Sequence, residues 1–210
     1  MMKKHFWKIV ALAAVLLIGG SFIYSNKVAE QANEGVVLEA RVKGNPEAKT
    51  VLVEYSDFQC PACAQFYPVV KEIMEEHGDD LKVEYKHFPL INIHPMATPA
   101  AKAAEAAGVQ GKFWEMHDKL FDNQATWSRS SNASAFFNQY AEELGLDVAK
   151  FKLHMDSSVI ADAISKSFNE ARDLGFTGTP TFLLNGEQMD FTTFEDFKGQ
   201  IEAAIVANAS

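Results

Sequence analysis

The feature that most constrains this chain is a pair of cysteines, Cys60 and Cys63, separated by two residues. The pair follows a β-rich, largely apolar run at residues 49–56 and opens an amphipathic helical pattern at residues 64–76. A cysteine at the start of a helix faces unpaired backbone N–H groups and the positive end of the helix dipole, which both stabilise a thiolate. Pro61 suits the first helical position, where its missing N–H leaves no hydrogen bond unmade. The spacing therefore predicts two thiols that can close a small disulfide ring and reopen it.

Two other uses of the cysteine pair compete with a redox role. Two cysteines cannot supply the four thiolates of a structural zinc site or an iron–sulfur cluster. The six histidines offer no second pair with metal-ligand spacing, so a metal site would lack its remaining ligands. A purely structural disulfide stays open as an alternative. Because the pair lies in a strand–helix–strand pattern, we favour a redox motif and expect neither a metal nor a cofactor.

The hydrophobic patterns divide the chain into three consecutive regions. Residues 36–94 show strand patterns around one helix, and residues 95–174 show a series of helical patterns. Residues 175–207 combine a strand, a tight Asn185-Gly186 turn and an amphipathic helix. The order predicts an α/β fold with a helical block between its two halves.

The first 26 residues differ from the rest of the chain. Three lysines and no acid precede residues 9–26, which carry no charge at all. Residues 6–24 are long enough for a membrane-spanning anchor, whereas a cleaved signal peptide would have only a weak cleavage site at residues 19–21. We favour the anchor. In either case the positive flank stays inside, so the remainder is expected outside the cytoplasm, with the polar residues 27–35 as a short tether.

The charge of the chain argues against nucleic acid as a partner. The chain has 19 basic and 28 acidic residues, a net charge of −9, and the basic residues form no cluster. Binding to phosphates requires a positive field, so we expect no nucleic-acid partner.

Several motifs together resemble those of the DsbA-like thioredoxin-fold proteins. The stretch from Glu54 to Cys63, EYSDFQCPAC, is similar to the active-site segment of that family. Other similar motifs are Gly44-Asn45-Pro46, His94-Pro95, the stretch from Gly111 to His117, and the stretch from Gly178 to Phe182. The resemblance covers about residues 36–207 and implies a thioredoxin fold with an inserted helical domain. It also implies a thiol–disulfide oxidoreductase that acts on exported proteins and is served by a DsbB-like or similar membrane redox partner.

The same resemblance assigns roles to individual residues. Cys60 corresponds to the exposed attacking thiolate, and Cys63 to the resolving thiol. Pro180 corresponds to a cis-proline beside the disulfide, where the preceding backbone can pair with an extended substrate. The residues expected to contact substrate are Pro61, Ala62 and Thr179.

Glu54 corresponds to the buried acid that lies beneath the disulfide in this family. Alternate residues of a strand share a face, so Glu54, Ser56 and Phe58 point the same way. The apolar neighbours of Glu54 favour burial over a surface position. Burial raises the pKa of a carboxyl, so Glu54 could exchange a proton with Cys63.

Two departures from the family pattern bear on the direction of the reaction. Strongly oxidising members often have histidine where this chain has Ala62, and thioredoxins often have tryptophan where it has Gln59. Without the histidine charge the disulfide should be of intermediate oxidising strength. We expect an oxidase or general oxidoreductase. The alternatives are a reductase or isomerase kept reduced by a membrane partner, and a non-catalytic binding module or chaperone with a structural disulfide.

Four polar residues near the motif are expected to have ordinary structural roles. Asp57 and Gln59 flank the cysteines and could contact substrate, but we interpret them as solvated turn residues, which is the simpler account. His94 and His117 could line the substrate groove, but we favour loop and helix-packing roles for them.

Overall fold

The computed structural model of the chain describes residue 21 and residues 25–208. The strands are β1 (Arg41–Gly44), β2 (Thr50–Ser56), β3 (Leu81–His87), β4 (Thr181–Leu184) and β5 (Glu187–Gln188). The helices are α1 (25–33), α2 (Pro61–His77), α3 (Ala97–Val109), α4 (Phe113–Asp122), α5 (Gln124–Trp127), α6 (Ala133–Glu143), α7 (Val148–Met155), α8 (Ser158–Asp173) and α9 (Phe194–Asn208).

The strands form one mixed sheet in the order β1-β3-β2-β4-β5. β2 and β3 are parallel and joined by α2, while β1, β4 and β5 add in antiparallel orientation. β2 is central because its residues are buried on both faces, with Leu52 on one side and Tyr55 on the other. The sheet and the helices between β3 and β4 confirm the expected fold class. Strand β2 ends directly before the loop that carries the cysteines.

The core places the cysteines where the helical block meets the sheet. One cluster of buried side chains packs α2 and α9 against the sheet, and it contains Leu52 and Phe197. A larger cluster fills the helical block and includes both cysteines. Helix α8 belongs to both parts, because Ile164 packs in the helical block whereas Ala171 packs beneath the sheet. The helical block is therefore joined to the sheet through a shared helix.

The expected anchor at residues 1–26 lies outside the described residues, apart from residues 21, 25 and 26. Within the described part of the chain, no helix is long and apolar enough to cross a membrane. The expected tether at residues 27–35 is largely helical, since α1 extends to residue 33. This helix is packed on the domain, because Ala32 is buried and Asn33 accepts hydrogen bonds at the start of α8.

The sequence of residues 36–42 has the apolar pattern of a strand, but the strand in this region is Arg41–Gly44. Val36 and Leu38 pack against the helical cluster instead of extending the ladder with β3. Packing of apolar side chains thus decides where this strand begins.

A buried ionic cluster ties the helical block to the sheet. Glu105 of α3 accepts hydrogen bonds from Arg41 of β1 and from Nε2 of His87 at the end of β3, the latter at 2.8 Å. Burial alone would raise the pKa of Glu105, but His87 and Arg41 outweigh it and lower this pKa to about 2. Because the folded pKa is depressed, the stabilisation is present above the unfolded pKa of about 4.5 and is lost as the pH falls towards 2.

We expect Glu105→Gln to lower the free energy of unfolding at neutral pH by about 3 kcal/mol, because Arg41 loses its charged partner. The variant should also lose the part of the acid dependence that Glu105 supplies between about pH 4.5 and 2. Urea unfolding at several pH values measures both effects.

Glu115→Gln is the matched control, because Glu115 forms a surface pair with Lys112 at 2.7 Å. Such exposed pairs contribute about 0–1 kcal/mol, so this variant should change little. Equal losses in the two variants would contradict a special role for the buried cluster.

Candidate active site

Cys60 and Cys63 lie at the start of α2, as the sequence pattern predicts. Cys60 is the N-cap with extended backbone angles (φ −71°, ψ 123°), and Pro61 begins the helix. Cys63 lies one turn further along and is fully buried, whereas Cys60 is 6 % exposed. Both are free thiols in this structure. Cys60 is therefore the thiol that a substrate can reach.

The pKa of Cys60 is lowered to about 5. The largest cause is a hydrogen bond from the Cys63 thiol, and burial opposes it. The Thr179 side chain and the backbone N–H groups of Ala62 and Cys63 lower the pKa further. At neutral pH Cys60 is a thiolate, which is the nucleophile in disulfide exchange.

Thr179 offers a hydrogen-bond partner to either form of Cys60. The peptide bond between Thr179 and Pro180 is cis. The Cys60 thiol donates to the Thr179 carbonyl at 3.3 Å, and the buried Thr179 hydroxyl has no settled partner of its own. A thiolate can only accept hydrogen bonds, so on deprotonation the hydroxyl becomes the partner of Cys60 and the carbonyl is released.

Cys63 and Glu54 form the buried side of the site. Burial raises the pKa of Cys63 well above its ordinary value, and the hydrogen bond to Cys60 and the charges of Cys60 and Glu54 add to this. Glu54, on the face of β2 that the strand pattern predicts, is 4 % exposed, and burial raises its pKa to about 7. A carboxyl with such a pKa can both accept and return a proton at neutral pH.

A small cavity lies beside Glu54, between the sheet and α4. It leaves about 20 Å³ for the centre of a water molecule, which is room for about one. Its walls include the half-buried side chains of Lys43 and Asp118 and the buried ring of His117. Burial lowers the pKa of His117. The cavity therefore lies between the buried Glu54 and the partly exposed side chains of Lys43 and Asp118.

Asp57 is not the solvated turn residue that the sequence suggested. It is 2 % exposed, and its carboxylate accepts hydrogen bonds from the backbone N–H of Gln59 (2.7 Å) and of Leu90 (2.9 Å). Nδ1 of His94 also lies 2.7 Å from this carboxylate. An Asp that bonds the N–H two residues ahead is a common turn motif, so the local pattern could have indicated this role.

The interpretation of Gln59 as a solvated residue is also wrong. Its side chain donates to the Ser128 carbonyl at 2.9 Å and accepts from the Met96 backbone N–H at 2.6 Å. Gln124 of α5, which sequence reasoning missed, donates to the carbonyl oxygens of Phe58 (2.7 Å) and Cys60 (2.9 Å). The helical block is therefore bonded directly to the backbone that presents Cys60.

The remaining predicted residues surround Cys60. Pro61 is exposed, and Ala62, Thr179 and Pro180 are half-buried. His117 packs among aromatic rings, including those of Phe58 and Phe121, as expected for a packing residue. The structure thus brings all the predicted catalytic and substrate-contacting residues to one end of the sheet.

One group of three potential metal ligands exists among the described residues, namely Glu76, His77 and Glu202. It lies near the C-terminal end of α2, away from the cysteines at the other end. Lys198 bonds Glu76 at 2.7 Å and neutralises charge there, so the group does not form a built cation site.

Comparison with known proteins gives a match to the family described as Thioredoxin over residues 37–203. The structure is similar to a thioredoxin-like oxidoreductase from Silicibacter pomeroyi DSS-3, with a TM-score of 0.66 and 28 % identity, covering 79 % of this chain and 91 % of that one. It is similar to BdbD from Bacillus subtilis, with a TM-score of 0.70 and 22 % identity over 83 % and 95 % of the two chains. It is also similar to alpha-DsbA1 from Wolbachia pipientis, with a TM-score of 0.72 and 19 % identity over 82 % and 94 %.

Curated relatives by sequence are much longer proteins. The Na(+)/H(+) antiporter NhaA 3 of Salinispora tropica is 40 % identical over 147 residues, which are 70 % of this chain and 22 % of that protein. The chain thus spans less than a quarter of the length of this relative, and the name describes the whole longer protein.

The family match covers most of the chain and includes the cysteine loop, the helical block and the Thr179–Pro180 loop. The similar solved structures share this fold over more than four fifths of the chain. The chain therefore belongs to the thioredoxin family and has the DsbA-like form of the fold.

Proposed function

We propose that this protein forms disulfide bonds in exported proteins by exchange through Cys60 and Cys63. The observation that carries the proposal is the stabilised Cys60 thiolate, whose pKa is about 5. Stabilising this thiolate stabilises the reduced enzyme, and an enzyme with a stable reduced form has a more oxidising disulfide.

The chemistry starts from the Cys60–Cys63 disulfide. A substrate thiolate attacks Cys60, a substrate–Cys60 bond forms, and Cys63 leaves as a thiolate that takes a proton from Glu54. A second substrate thiolate then attacks the substrate sulfur of this mixed disulfide, and Cys60 leaves as the stabilised thiolate. Two electrons pass from the substrate to the cysteine pair, and a membrane redox partner restores the disulfide by the reverse exchange.

The residues around Cys60 form the substrate contact in this proposal. The Thr179 carbonyl accepts a hydrogen bond from the Cys60 thiol. That hydrogen bond is lost once Cys60 is a thiolate or is bonded to substrate sulfur. The Thr179 carbonyl can then accept a backbone N–H from an extended substrate segment. Pro61, Ala62 and Pro180 supply the surface on either side.

A reductase or isomerase is the second candidate, and Ala62 favours it. Ala62 brings no positive charge to the thiolate, and only its backbone N–H lowers the pKa of Cys60. A redox potential close to the thioredoxin value of about −270 mV would favour reduction, and one close to the DsbA value of about −120 mV would favour oxidation.

We expect the purified full chain to catalyse disulfide formation in a reduced, unfolded protein, and Cys60→Ser to abolish this activity because the accessible sulfur is lost. Cys63→Ser should instead accumulate mixed disulfides between Cys60 and substrate, because the second thiol is missing. Gel electrophoresis without reductant detects these adducts.

Equilibration of the same preparation with glutathione distinguishes oxidase from reductase. Full activity in Cys60→Ser would contradict catalysis by this pair. A wild-type chain without exchange activity, whose Cys60→Ser variant loses stability, would instead support the non-catalytic module with a structural disulfide.

Residues 1–26 are proposed to remain attached as an anchor that holds the domain on the outer face of the cytoplasmic membrane. The uncharged residues 9–26 behind a basic flank support this. The packed helix α1 would then fix the domain close to the bilayer rather than on a flexible tether. Mass spectrometry of the membrane-bound protein should find the N-terminal segment intact, and a mature N-terminus near residue 22 would contradict the anchor.

A further inference from the structure

Two buried hydroxyl groups behind the cysteine pair have no hydrogen-bond partner of regular geometry. They are Oγ of Ser56 and the phenol oxygen of Tyr85. Ser56 is 1 % exposed and Tyr85 3 % exposed, and both lie close to the buried Glu54 and Cys63. Buried polar groups nearly always have partners, so an unpartnered pair beside a reactive thiol calls for an explanation.

Ser56 lies between the thiol and the carboxyl. Strand alternation puts Glu54 and Ser56 on the same face of β2, and this face is covered by α2, which carries Cys63. The Ser56 hydroxyl lies close enough to lower the pKa of Glu54 and that of Cys63, although neither contact has regular hydrogen-bond geometry. The structure records no direct hydrogen bond between Glu54 and Cys63, which interact through charge.

Tyr85 occupies a different place beside these groups. It pairs with Glu54 across the β2–β3 ladder, and its hydroxyl neighbours Ser56. The interactions of Tyr85 with Glu54 and Cys63 are electrostatic and involve no hydrogen bond. Ser56 is therefore the one hydroxyl of the two that bridges the thiol and the carboxyl.

We propose that the Ser56 hydroxyl relays the proton between Cys63 and Glu54. The proposal rests on the exchange chemistry proposed above and adds the route of its proton. When Cys63 attacks the mixed disulfide, the Cys63–Cys60 bond forms and the bond from Cys60 to the substrate sulfur breaks. The Cys63 proton passes to the Ser56 oxygen while the Ser56 proton passes to the Glu54 carboxylate, and the substrate leaves as a thiolate. The oxidising direction runs through the same steps in reverse.

A serine can serve this purpose because its hydroxyl donates one hydrogen bond and accepts others at the same time. A hydroxyl without a fixed partner can turn between the two groups. The titratable groups that lie near Ser56 or face the cavity beside Glu54 are Glu54 of β2, Tyr85 of β3, Cys60, Cys63, Tyr67 and Lys71 of α2, Lys43 of β1, and His117 and Asp118 of α4.

The test follows the reduced full chain after rapid mixing with 5,5′-dithiobis(2-nitrobenzoate). Cys60 releases the first coloured thiolate in a step that depends on reagent concentration, and Cys63 releases the second in a step that does not. We expect Ser56→Ala to slow the second step about tenfold or more at neutral pH, and the first step less than about twofold. The difference in the rate of the second step between Ser56→Ala and the wild-type chain should become smaller at high pH, because hydroxide can then remove the Cys63 proton directly.

Two matched controls accompany this variant. Tyr85→Phe removes the unpartnered hydroxyl of Tyr85, which neighbours Ser56, and Ser167→Ala removes an unpartnered buried hydroxyl on α8. Both should leave the second step near the wild-type rate, and Ser56→Thr should restore much of it. Glu54→Gln should also slow the second step. The double variant Glu54→Gln with Ser56→Ala should be little slower than Glu54→Gln alone, because the two residues act as a unit.

Ser56→Ala should fold with unchanged thermal stability, because the hydroxyl that it removes has no settled partner. An unfolded variant would show that the hydroxyl is structural and would overturn the proposal. A wild-type second step in Ser56→Ala, or an equal slowing of both steps at every pH, would also overturn it. Failure of the first step in the wild-type chain would instead contradict the proposed function itself.

Discussion

The hydrogen bond from the Cys63 thiol to the Cys60 thiolate is the interaction on which this active site depends. It is the largest cause of the low pKa of Cys60, and it requires that Cys63 keep its own proton. The fold supplies that geometry because β2 ends directly before the loop and Pro61 starts α2 at once. Cys60 then lies at the end of the helix with free N–H groups, and Cys63 lies one turn deeper.

The two thiols differ because their surroundings differ. Cys60 has Thr179 and backbone N–H groups as partners, whereas Cys63 is buried and feels the charge of Glu54. Burial favours the protonated form of both Cys63 and Glu54. One sulfur is thereby kept ready to attack and the other is kept neutral until a mixed disulfide has formed. The helical block contributes by bonding the Cys60 backbone through Gln124.

Local patterns were sufficient to predict an α/β order with a helical block, the helix-start position of Cys60 and the burial of Glu54, whereas the thioredoxin fold itself was implied by the family resemblance. Each of these local predictions depends on residues that are close in sequence and on the two periodicities of strand and helix. The buried roles of Asp57, Gln59 and Gln124 depend on contacts between distant segments, such as the bond from Gln124 to the Phe58 carbonyl. No spacing rule predicts which surface loop a distant helix will cover. The influence of Cys63 on the pKa of Cys60 was missed for a related reason, because it depends on how the two side chains turn.

The most direct test of this arrangement compares Cys63→Ala with Cys63→Ser in a titration of Cys60 by thiolate absorbance. Alanine removes the hydrogen-bond donor, so the pKa of Cys60 should rise from about 5 towards the free value of about 8.5. Serine keeps a hydroxyl donor at the same place, so the pKa of Cys60 should stay well below that of the alanine variant. If both variants titrate near 5, the Cys63 thiol does not stabilise the Cys60 thiolate and the central role given to this hydrogen bond is wrong.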